Sequence, residues 1–311
     1  MAFAQGSRSG LSYLVESTFG TTPAGNFAAI PYNTHSLNLT KERVTGNEIQ
    51  PDRMLRVDRH GNRQSGGDIT VDLRDGNFDA FLESAMQGTW DNTPVAAPDV
   101  LKVGTTPKYF SIEDAANDIS QFRLFTGMSV GSMSFSIAPN QMVTSTMSMM
   151  GKDMTISGTG KTVDAATISQ PFDSYSGDLA IGNVASSSVI ATVTSIEFSI
   201  NNALNPTFVV GDDSTPFLES GMATVEGTFS AYFEDETLIN RFINEVESEL
   251  IVSVDDPTGA NTYTFGFPKI KINGADVPVG GQTSRIITLP FVALYDATEA
   301  TNFYIERPDT T

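Results

Sequence analysis

Residues 66–88 combine a strand pattern and a helix pattern in one short stretch, GGDITVDLRDGNFDAFLESAMQG. Apolar and polar side chains alternate through residues 68–73, which is the period of a half-buried β-strand. From Phe78 onward the apolar residues recur at helical spacing, and Gly88 can end a helix, so the sequence predicts a helix over 76–88. A strand that leads directly into an amphipathic helix predicts a sheet with the helix packed over it.

The same order of elements returns in the second half of the chain. The strand pattern of residues 223–233 leads into EDETLINRFINEVE, residues 234–247, which predicts a second helix with Asp235 as a candidate N-cap. Its apolar stripe lies 160 positions after that of the first helix. The repeated order predicts two tandem copies of one β-rich unit. The predicted boundaries are 1–160 for the first unit, 161–193 for a connecting segment and 194–311 for the second unit.

The rest of the pattern is β, so the predicted fold class is mainly β with one flanking helix in each unit. Alternation of apolar and polar residues marks ten strands, and Gly, Pro, Asn and Asp lie between most of them, as turns require. The ten predicted strands are 36–40, 68–73, 108–114, 129–137, 143–150, 194–200, 223–233, 249–256, 263–272 and 284–295.

Composition and charge exclude several classes of protein. The 311 residues include no Cys, which excludes a disulfide framework and thiolate chemistry, and no apolar run of about 18 residues predicts a membrane helix. The net charge is −19, and it is uneven: residues 1–161 hold 13 basic and 16 acidic side chains (−3), and residues 162–311 hold 5 and 21 (−16). A surface of this sign repels phosphate, which argues against a sequence-independent DNA-binding protein.

Basic residues are concentrated in one segment, 41–67, that is too long for an ordinary hairpin turn. Two interpretations of this cluster are a nucleic-acid patch and a polar arm that forms salt bridges with an acidic neighbour. The second is favoured because the rest of the chain is acidic. The predicted contact residues are Lys41, Arg43, Arg53, Arg56, Arg59 and Arg63.

Candidate chemistry is sparse, and the sequence predicts neither an enzyme nor a cofactor or metal site. His35 and His60 lack the Ser/Asp arrangement of an activated nucleophile. The acidic pairs 212–213 and 255–256 have the composition of turns, and the glycine-rich step 157–161 is not a phosphate-binding loop. A β-rich chain with long loops and no catalytic constellation points to a structural or assembly role.

Four segments resemble the major tail tube proteins of long-tailed, non-contractile bacteriophages. The most specific runs are ESTFGTTP, residues 16–23, and TGMSVGSMSFSIAP, residues 126–139. The resemblance covers roughly residues 5–154 and extends through the second unit. The four segments are GSRSGLSYLVESTFGTTPAG (6–25), FAAIPYNTHSLNLTKERVTGNEIQPDRM (27–54), GGDITVDLRDGNFDAFLESAMQG (66–88) and FRLFTGMSVGSMSFSIAPNQMVTSTMSMMGKD (122–153).

The resemblance implies a β-sandwich unit flanked by a helix, as in the tube proteins of contractile tails and type VI secretion systems. It implies a structural virion protein of a siphovirus, assembled in the host cytoplasm. Subunits of this family join laterally so that their sheets line a channel, and stacked rings house the tape measure protein and later conduct the DNA without specific binding. Tail terminator and tail tip proteins are further implied partners. In the family, the segment equivalent to 41–67 is an arm that contacts the next ring.

Two alternatives stay open at this point. A one-unit tube protein forms hexameric rings, so a chain with two units favours a ring of three copies, and the alternative is a true hexamer decorated by the second half. The competing function is a β-sandwich adhesin or carbohydrate-binding surface protein. Such a protein usually presents exposed aromatic residues to sugars, whereas this chain has one Trp and eight Tyr.

Overall fold

The computed structural model is mainly β, with the ten predicted strands and both predicted helices in place. It describes residues 3–52, 54–93, 97–165, 169–174, 178–183, 186–189, 193–259, 261–279, 281–282 and 284–308. Neither of the helices in these ranges has the length and hydropathy that a membrane crossing requires.

The first part of the chain, up to residue 164, contributes eleven of the described strands and the longer helix, α1. The strands are β1 (Ser9–Glu16), β2 (Phe27–Ala29), β3 (Thr34–His35), β4 (Asn38–Thr45), β5 (Asp58–Asp72), β6 (Asp99–Lys102), β7 (Tyr109–Ala116), β8 (Gln121–Ile137), β9 (Thr144–Gly151), β10 (Asp153–Ser157) and β11 (Val163–Asp164), and α1 is Asp79–Met86.

The later part contributes the remaining described strands and the second helix, α2. They are β12 (Leu179–Asn183), β13 (Ser186–Val189), β14 (Val193–Asn201), β15 (Asn205–Pro206), β16 (Leu218–Glu219), β17 (Thr224–Tyr232), β18 (Ser248–Asp255), β19 (Thr262–Ile272), β20 (Ile286–Ala293) and β21 (Tyr304–Arg307), and α2 is Thr237–Ile243. The sequence analysis missed β1, β6 and several of the short strands.

One continuous antiparallel sheet runs across both halves of the chain, in the order β4–β5–β9–β8–β14–β17–β20. The halves meet where β14 pairs with β8, with Phe198 opposite Phe135. The rings of these two residues stack with centroids 4.9 Å apart. The joint is therefore held by both main-chain hydrogen bonds and core packing.

Two long strands change partners along their length and so connect this sheet to a second layer. The first part of β8 pairs with β7 and β10, and its second part pairs with β9 and β14. Gly127, at a φ of 65°, lies between the two parts, and glycine adopts this left-handed conformation without a steric penalty. In the same way, β19 pairs first with β18 and β21 and then with β20.

The helix α1 lies between the layers and belongs to the core. Phe81 packs against Tyr13 and Phe110, with ring centroids 4.6 and 4.7 Å apart. The helix is shorter than the predicted 76–88, because Gln87 rather than Gly88 takes the left-handed conformation, at a φ of 47°. Gly88 is needed for a different reason: a Cβ there would lie 2.2 Å from the Lys102 carbonyl oxygen.

The predicted connecting segment, 161–193, takes part in the fold where it is described. Phe172 is fully buried, and β12 pairs with β18. At the end of the chain, β21 pairs with β6 of the first half. The boundaries at 160 and 193 stay a prediction.

The segment 41–67, predicted as a loop, is largely a β-hairpin. Strands β4 and β5 pair from Asn38 opposite Gly66 to Thr45 opposite Asp58, so 41–45 and 58–66 are strand rather than loop. The prediction that the segment is all loop was wrong, and its contact with a neighbouring ring stays a prediction. Alternation is weak in this segment because both faces of the hairpin are exposed to solvent.

Candidate assembly surfaces

The open face of the continuous sheet is lined by hydroxyl-bearing side chains. On β9, Ser145, Met147 and Met149 are buried, whereas the alternate residues Thr144, Thr146 and Ser148 point outward. Cross-strand pairing aligns these outward residues into rows. One row runs Thr70, Thr146, Ser134, Ser199 and Glu226, and the next runs Asp72, Thr144, Ser136, Glu197 and Thr228.

The charged outward residues of this face from Asp68 of β5 to Glu226 of β17 are acidic, and Lys271 of β19, which continues the Glu226 row past β20, forms an ion pair with Glu245. Asp68, Asp72, Glu197 and Glu226 occupy outward positions, and Ser136 Oγ donates a 3.3 Å hydrogen bond to Glu197. Among the described outward residues of β9, β14, β17 and β20 there is no Lys or Arg. A shallow depression lies over Ser134, Glu197 and Glu226. The described surface of β9, β14, β17 and β20 can face water, but these strands offer nucleic acid no cation to replace its counterions.

The hairpin of β4 and β5 projects beyond the sheet as an arm, because β9 pairs only with Ser65–Asp72 of β5. The basic residues predicted for contact lie along this arm, and several already have acidic partners in the same chain. Arg43 Nε lies 2.9 Å from Asp58, and Arg56 lies 2.5 Å from Asp52. Both pairs are exposed to solvent, so each contributes little to stability.

Arg63 lies at the base of the arm and contacts the loop that carries the acidic pair 212–213. Its guanidinium lies 3.2 Å from Asp213 and 3.3 Å from Asp153, and its main-chain N–H donates to the Asp213 carbonyl at 2.7 Å. This contact is within one chain. Arg63 therefore anchors the arm to the body of the subunit.

Lys41 and Arg59 have no ion-pair partner within the described part of the chain. Lys41 faces Arg63 across the hairpin, and Arg59 faces Val44. Arg53 lies outside the described residues. The cluster is thus divided into paired residues and two exposed cations that stay available to a partner.

The tip of the arm also carries exposed apolar side chains, which the sequence analysis did not single out. Ile49 is 99% exposed and Met54 is 71% exposed, and Val44, Leu55 and Val57 are exposed as well. Apolar side chains grouped on a projecting arm are typical of a surface that another protein covers. The sequence shows these apolar residues spaced through an otherwise polar loop. The prediction for this segment was based on its basic residues alone.

The remaining candidate residues have structural roles. His35 Nε2 lies 3.5 Å from Asp114, which also binds Arg123. Burial raises the pKa of Asp114, but the hydrogen bonds from His35 and Arg123 outweigh burial and lower that pKa overall. Asp212 accepts hydrogen bonds from Ser214, and Asp256 accepts one from the Asn261 side chain, as expected of turns. The described residues contain no group of three or more His, Asp and Glu arranged for a metal ion.

Comparison with known families decides among the classes left open by the sequence. The model of the family described as phage tail tube protein matches residues 6–293. The chain belongs to this family. A search of curated proteins finds no match. The family assignment confirms the resemblance and the prediction of a structural virion protein of the phage tail, and the β-rich structure confirms the predicted fold class.

The family is a structural one, and its members assemble with copies of themselves into a tube. For a tail tube protein, the open sheet face and the arm are the two surfaces to explain. Trp90, the single Trp, is covered by Arg307, whose guanidinium carbon lies 4.2 Å from the ring centroid. This residue does not offer the open aromatic platform that the adhesin alternative requires.

Proposed function

We propose that the chain polymerises into stacked rings whose channel is lined by the open face of the β4–β20 sheet. The observation that carries this proposal is the continuous sheet with one apolar face and one Ser/Thr-rich, carboxylate-bearing face. Carrying the sheet from copy to copy into a closed barrel would cover its edges. The channel would house the tape measure protein and then conduct DNA, which a negative wall does not hold.

The tandem arrangement supports rings of three copies. The pairing order β4–β5–β9–β8 in the first half has a counterpart in β14–β17–β20–β19 in the second half. In each set a helix follows the second strand, α1 after β5 and α2 after β17. Three chains with two such units each would supply the six units of a hexameric ring. A hexamer decorated by the second half is the alternative.

The arm is proposed to join successive rings. Its exposed cations and apolar tip side chains project from a body that is acidic, especially in the second half. We assign the contact to Lys41, Arg43, Arg53, Arg56 and Arg59, with Arg63 as the anchor. The proposed virion is that of a siphovirus, and the chain assembles in the host cytoplasm. Its further proposed partners are the tail terminator and tail tip proteins.

Negative-stain electron microscopy and mass photometry of the purified protein test the tube and its symmetry. Hollow tubes or stacked rings are expected, with a soluble ring of three chain masses. A ring of six masses would keep the tube and replace the three-copy model. A chain that stays monomeric at high concentration, with and without a preformed tail tip complex, would contradict the tube proposal.

Charge reversal tests the arm separately from the ring. Changing Arg53, Arg56 and Arg59 to Glu should leave single rings but abolish their stacking into tubes. The matched control changes the same three residues to Lys, which keeps the charge and should keep tube growth. Tubes of normal length from the Glu variant would refute this role of the arm.

The position of the channel can be tested by chemical labelling, since the chain has no native Cys. Cysteine at Glu197 should react with a small maleimide in both monomer and tube. A maleimide attached to a large dextran should label the monomer and fail to label the interior of a capped tube. Equal labelling of both states by the large reagent would place Glu197 on the outside.

A further inference from the structure

The helix α1 is buried because the second half of the chain lies over it. The Asn202 side-chain amide donates to the Ala85 carbonyl at 2.9 Å, and the Tyr263 hydroxyl donates to Asp79 at 3.2 Å. Arg307 of the last strand forms an ion pair with the same Asp79. Residues of the following unit thus complete the site that the helix occupies.

The helix α2 follows β17 as α1 follows β5, but in the described part of the chain no later unit covers it. None of its residues is buried. Leu238 and Ile239 pack against the core, whereas Phe242 is 37% exposed and Ile243 is 64% exposed. The helix is held at one end by Arg241, which donates to Ser248 at 3.0 Å. Its outer side is left as an uncovered apolar surface.

The continuous sheet is uncovered at the same end. In the first half, Ser132–Ile137 of β8 lie between β9 and β14. In the second half, the chain from Lys271 onward runs beside β20, with Asp276 N–H donating to Thr288 at 3.0 Å. Among the described residues, nothing pairs with the other side of 271–277. At the opposite end of the sheet, β3 and β4 pair only with β5 within the described chain.

We infer that copies join head to tail, with the segment 271–277 and α2 of one copy covered by residues 34–39 of the next, which hold β3 and the start of β4. This inference rests on the proposed ring and names its lateral contact. The β8–β14 joint inside the chain is the template, because there a first-unit strand and α1 are covered by β14 and Asn202. A head-to-tail contact of this kind closes into a ring when the rotation between copies allows it.

The distribution of charge also favours contact between the second half of one copy and the first half of the next. The approach to α2 carries exposed Glu234, Asp235 and Glu236, within a half that has a net charge of −16. The first half, which supplies β3 and β4, has a net charge of only −3 and so repels α2 less. A symmetric contact between two copies of α2 would instead bring acidic groups together.

Replacement of the exposed apolar pair tests the inference in the full chain. Phe242→Asp with Ile243→Asp should leave the monomer folded, because both side chains already contact water. Ring assembly should require at least about a tenfold higher protein concentration, the equivalent of about 1.4 kcal/mol. The matched control, Phe242→Leu with Ile243→Leu, keeps the surface apolar and should assemble at the wild-type concentration.

The outcomes separate the two proposals. If the wild-type chain never forms rings or tubes, the proposed function fails and the lateral contact fails with it. If the wild-type chain assembles and the Asp variant assembles at the same concentration, the tube stands and the α2 contact is wrong. Circular dichroism of the Asp variant must match the wild type, and an unfolded variant is replaced by Ile243→Asp alone.

Cross-linking gives an independent measurement on assembled tubes. A chain with both Ile243→Cys and Leu39→Cys should be joined by a short bis-maleimide into a ladder that ends at the ring number, because these positions correspond to Ala85 and Asn202 of the intrachain template. Chains with either cysteine alone should give no ladder, because a head-to-tail contact does not place identical residues together. A ladder from a single-cysteine chain, or none from the double variant, would overturn the inference.

Discussion

The two helices follow similar sequence patterns and have opposite environments. Phe81, Leu82 and Met86 of α1 have 0–1% of their surface exposed, whereas Ile243 of α2 is 64% exposed. Both helices are amphipathic. Each follows a strand along which buried and outward-facing side chains alternate. The difference lies in what comes next along the chain, because residues after 193 cover α1 and none of the described residues covers α2. Helical periodicity therefore predicts that a face will be buried, but it does not say which molecule buries it.

The same contrast holds for the ends of the helices. The carbonyls at the end of α1 are satisfied by the chain that returns beside it, since Gly104 N–H donates to Met86 at 2.9 Å and Thr106 N–H to Gln87 at 2.8 Å. At the start of α2 the contact is local: Glu236, not the predicted Asp235, is the N-cap, and Asp235 one residue earlier accepts from the Thr237 N–H at 2.8 Å. Long-range contacts hold α1 in place, and mainly neighbouring residues hold α2.

Truncation of one large apolar residue in each helix gives the largest expected difference. Phe81→Ala should lower the free energy of unfolding by about 4 kcal/mol, because it opens a cavity between Tyr13 and Phe110. Phe242→Ala should change it by no more than about 0.5 kcal/mol in the monomer. Urea unfolding of the two variants under monomeric conditions measures both, and equal losses would show that α2 is also a core helix.

Removal of Arg307, which pairs with Asp79 of α1, should have the next largest effect on the free energy of unfolding. Arg307 lies 3.0 Å from Asp99, which is 1% exposed, and it also pairs with Asp79. Burial disfavours the cation, but the bonds to Asp79 and Asp99 outweigh burial and raise the pKa of Arg307 above its ordinary value. Arg307→Ala removes the cation that neutralises these two carboxylates and should cost about 3 kcal/mol.

Thermal unfolding of Arg307→Ala checks this value. Arg285→Ala is a suitable comparison, because that guanidinium donates to the Val277 carbonyl in an exposed position. A loss in Arg307→Ala no larger than in Arg285→Ala would show that the last strand does not hold α1.

The smallest expected effect is the response of α2 to pH. The hydrogen bonds from Thr237 lower the pKa of Asp235 below its ordinary value of 3.8. Since the folded-state pKa is the lower one, this stabilisation is complete above the unfolded-state pKa and is lost as pH falls through the folded value. Hydrogen exchange at α2 should therefore accelerate at acidic pH more than at α1, and Asp235→Ala should remove that difference. Asp235→Asn, which keeps a capping oxygen, should retain protection at low pH.

Much of the fold could be predicted from local patterns. All ten predicted strands are present, because alternation reports directly which side of a sheet is buried. Both helices are shorter than predicted: α1 begins after Gly76, at a φ of 73°, and α2 ends before Glu245, at a φ of 52°. These ends depend on turns that place residues against distant partners, such as the Gly76 N–H, which donates to the Tyr263 hydroxyl at 3.4 Å. Sequence spacing carries no signal for such contacts.

The candidate surfaces were predicted less completely than the fold. The basic arm was recognised from charge, but the pairing of Arg63 with Asp213 joins residues 150 positions apart, and no local pattern relates them. The outward positions Glu197 and Glu226 could not be assigned, because a one-residue slip of a strand exchanges its faces. The register of β14 with β8 and β17 fixes them on the open face.

The sequence by itself determined the β-rich class, both helices, the family and the unequal charge of the two halves. The class, the helices and the charge follow from local periodicity and composition, which each residue contributes without reference to distant partners, and the family follows from the resemblance of particular segments, later matched over residues 6–293. Only the tertiary structure decided that one sheet runs through both halves, that α1 is enclosed while α2 is not, and which carboxylates share the open face. Those features depend on strand pairing over long separations, where the free energy comes from contacts that form only when the whole sheet is assembled.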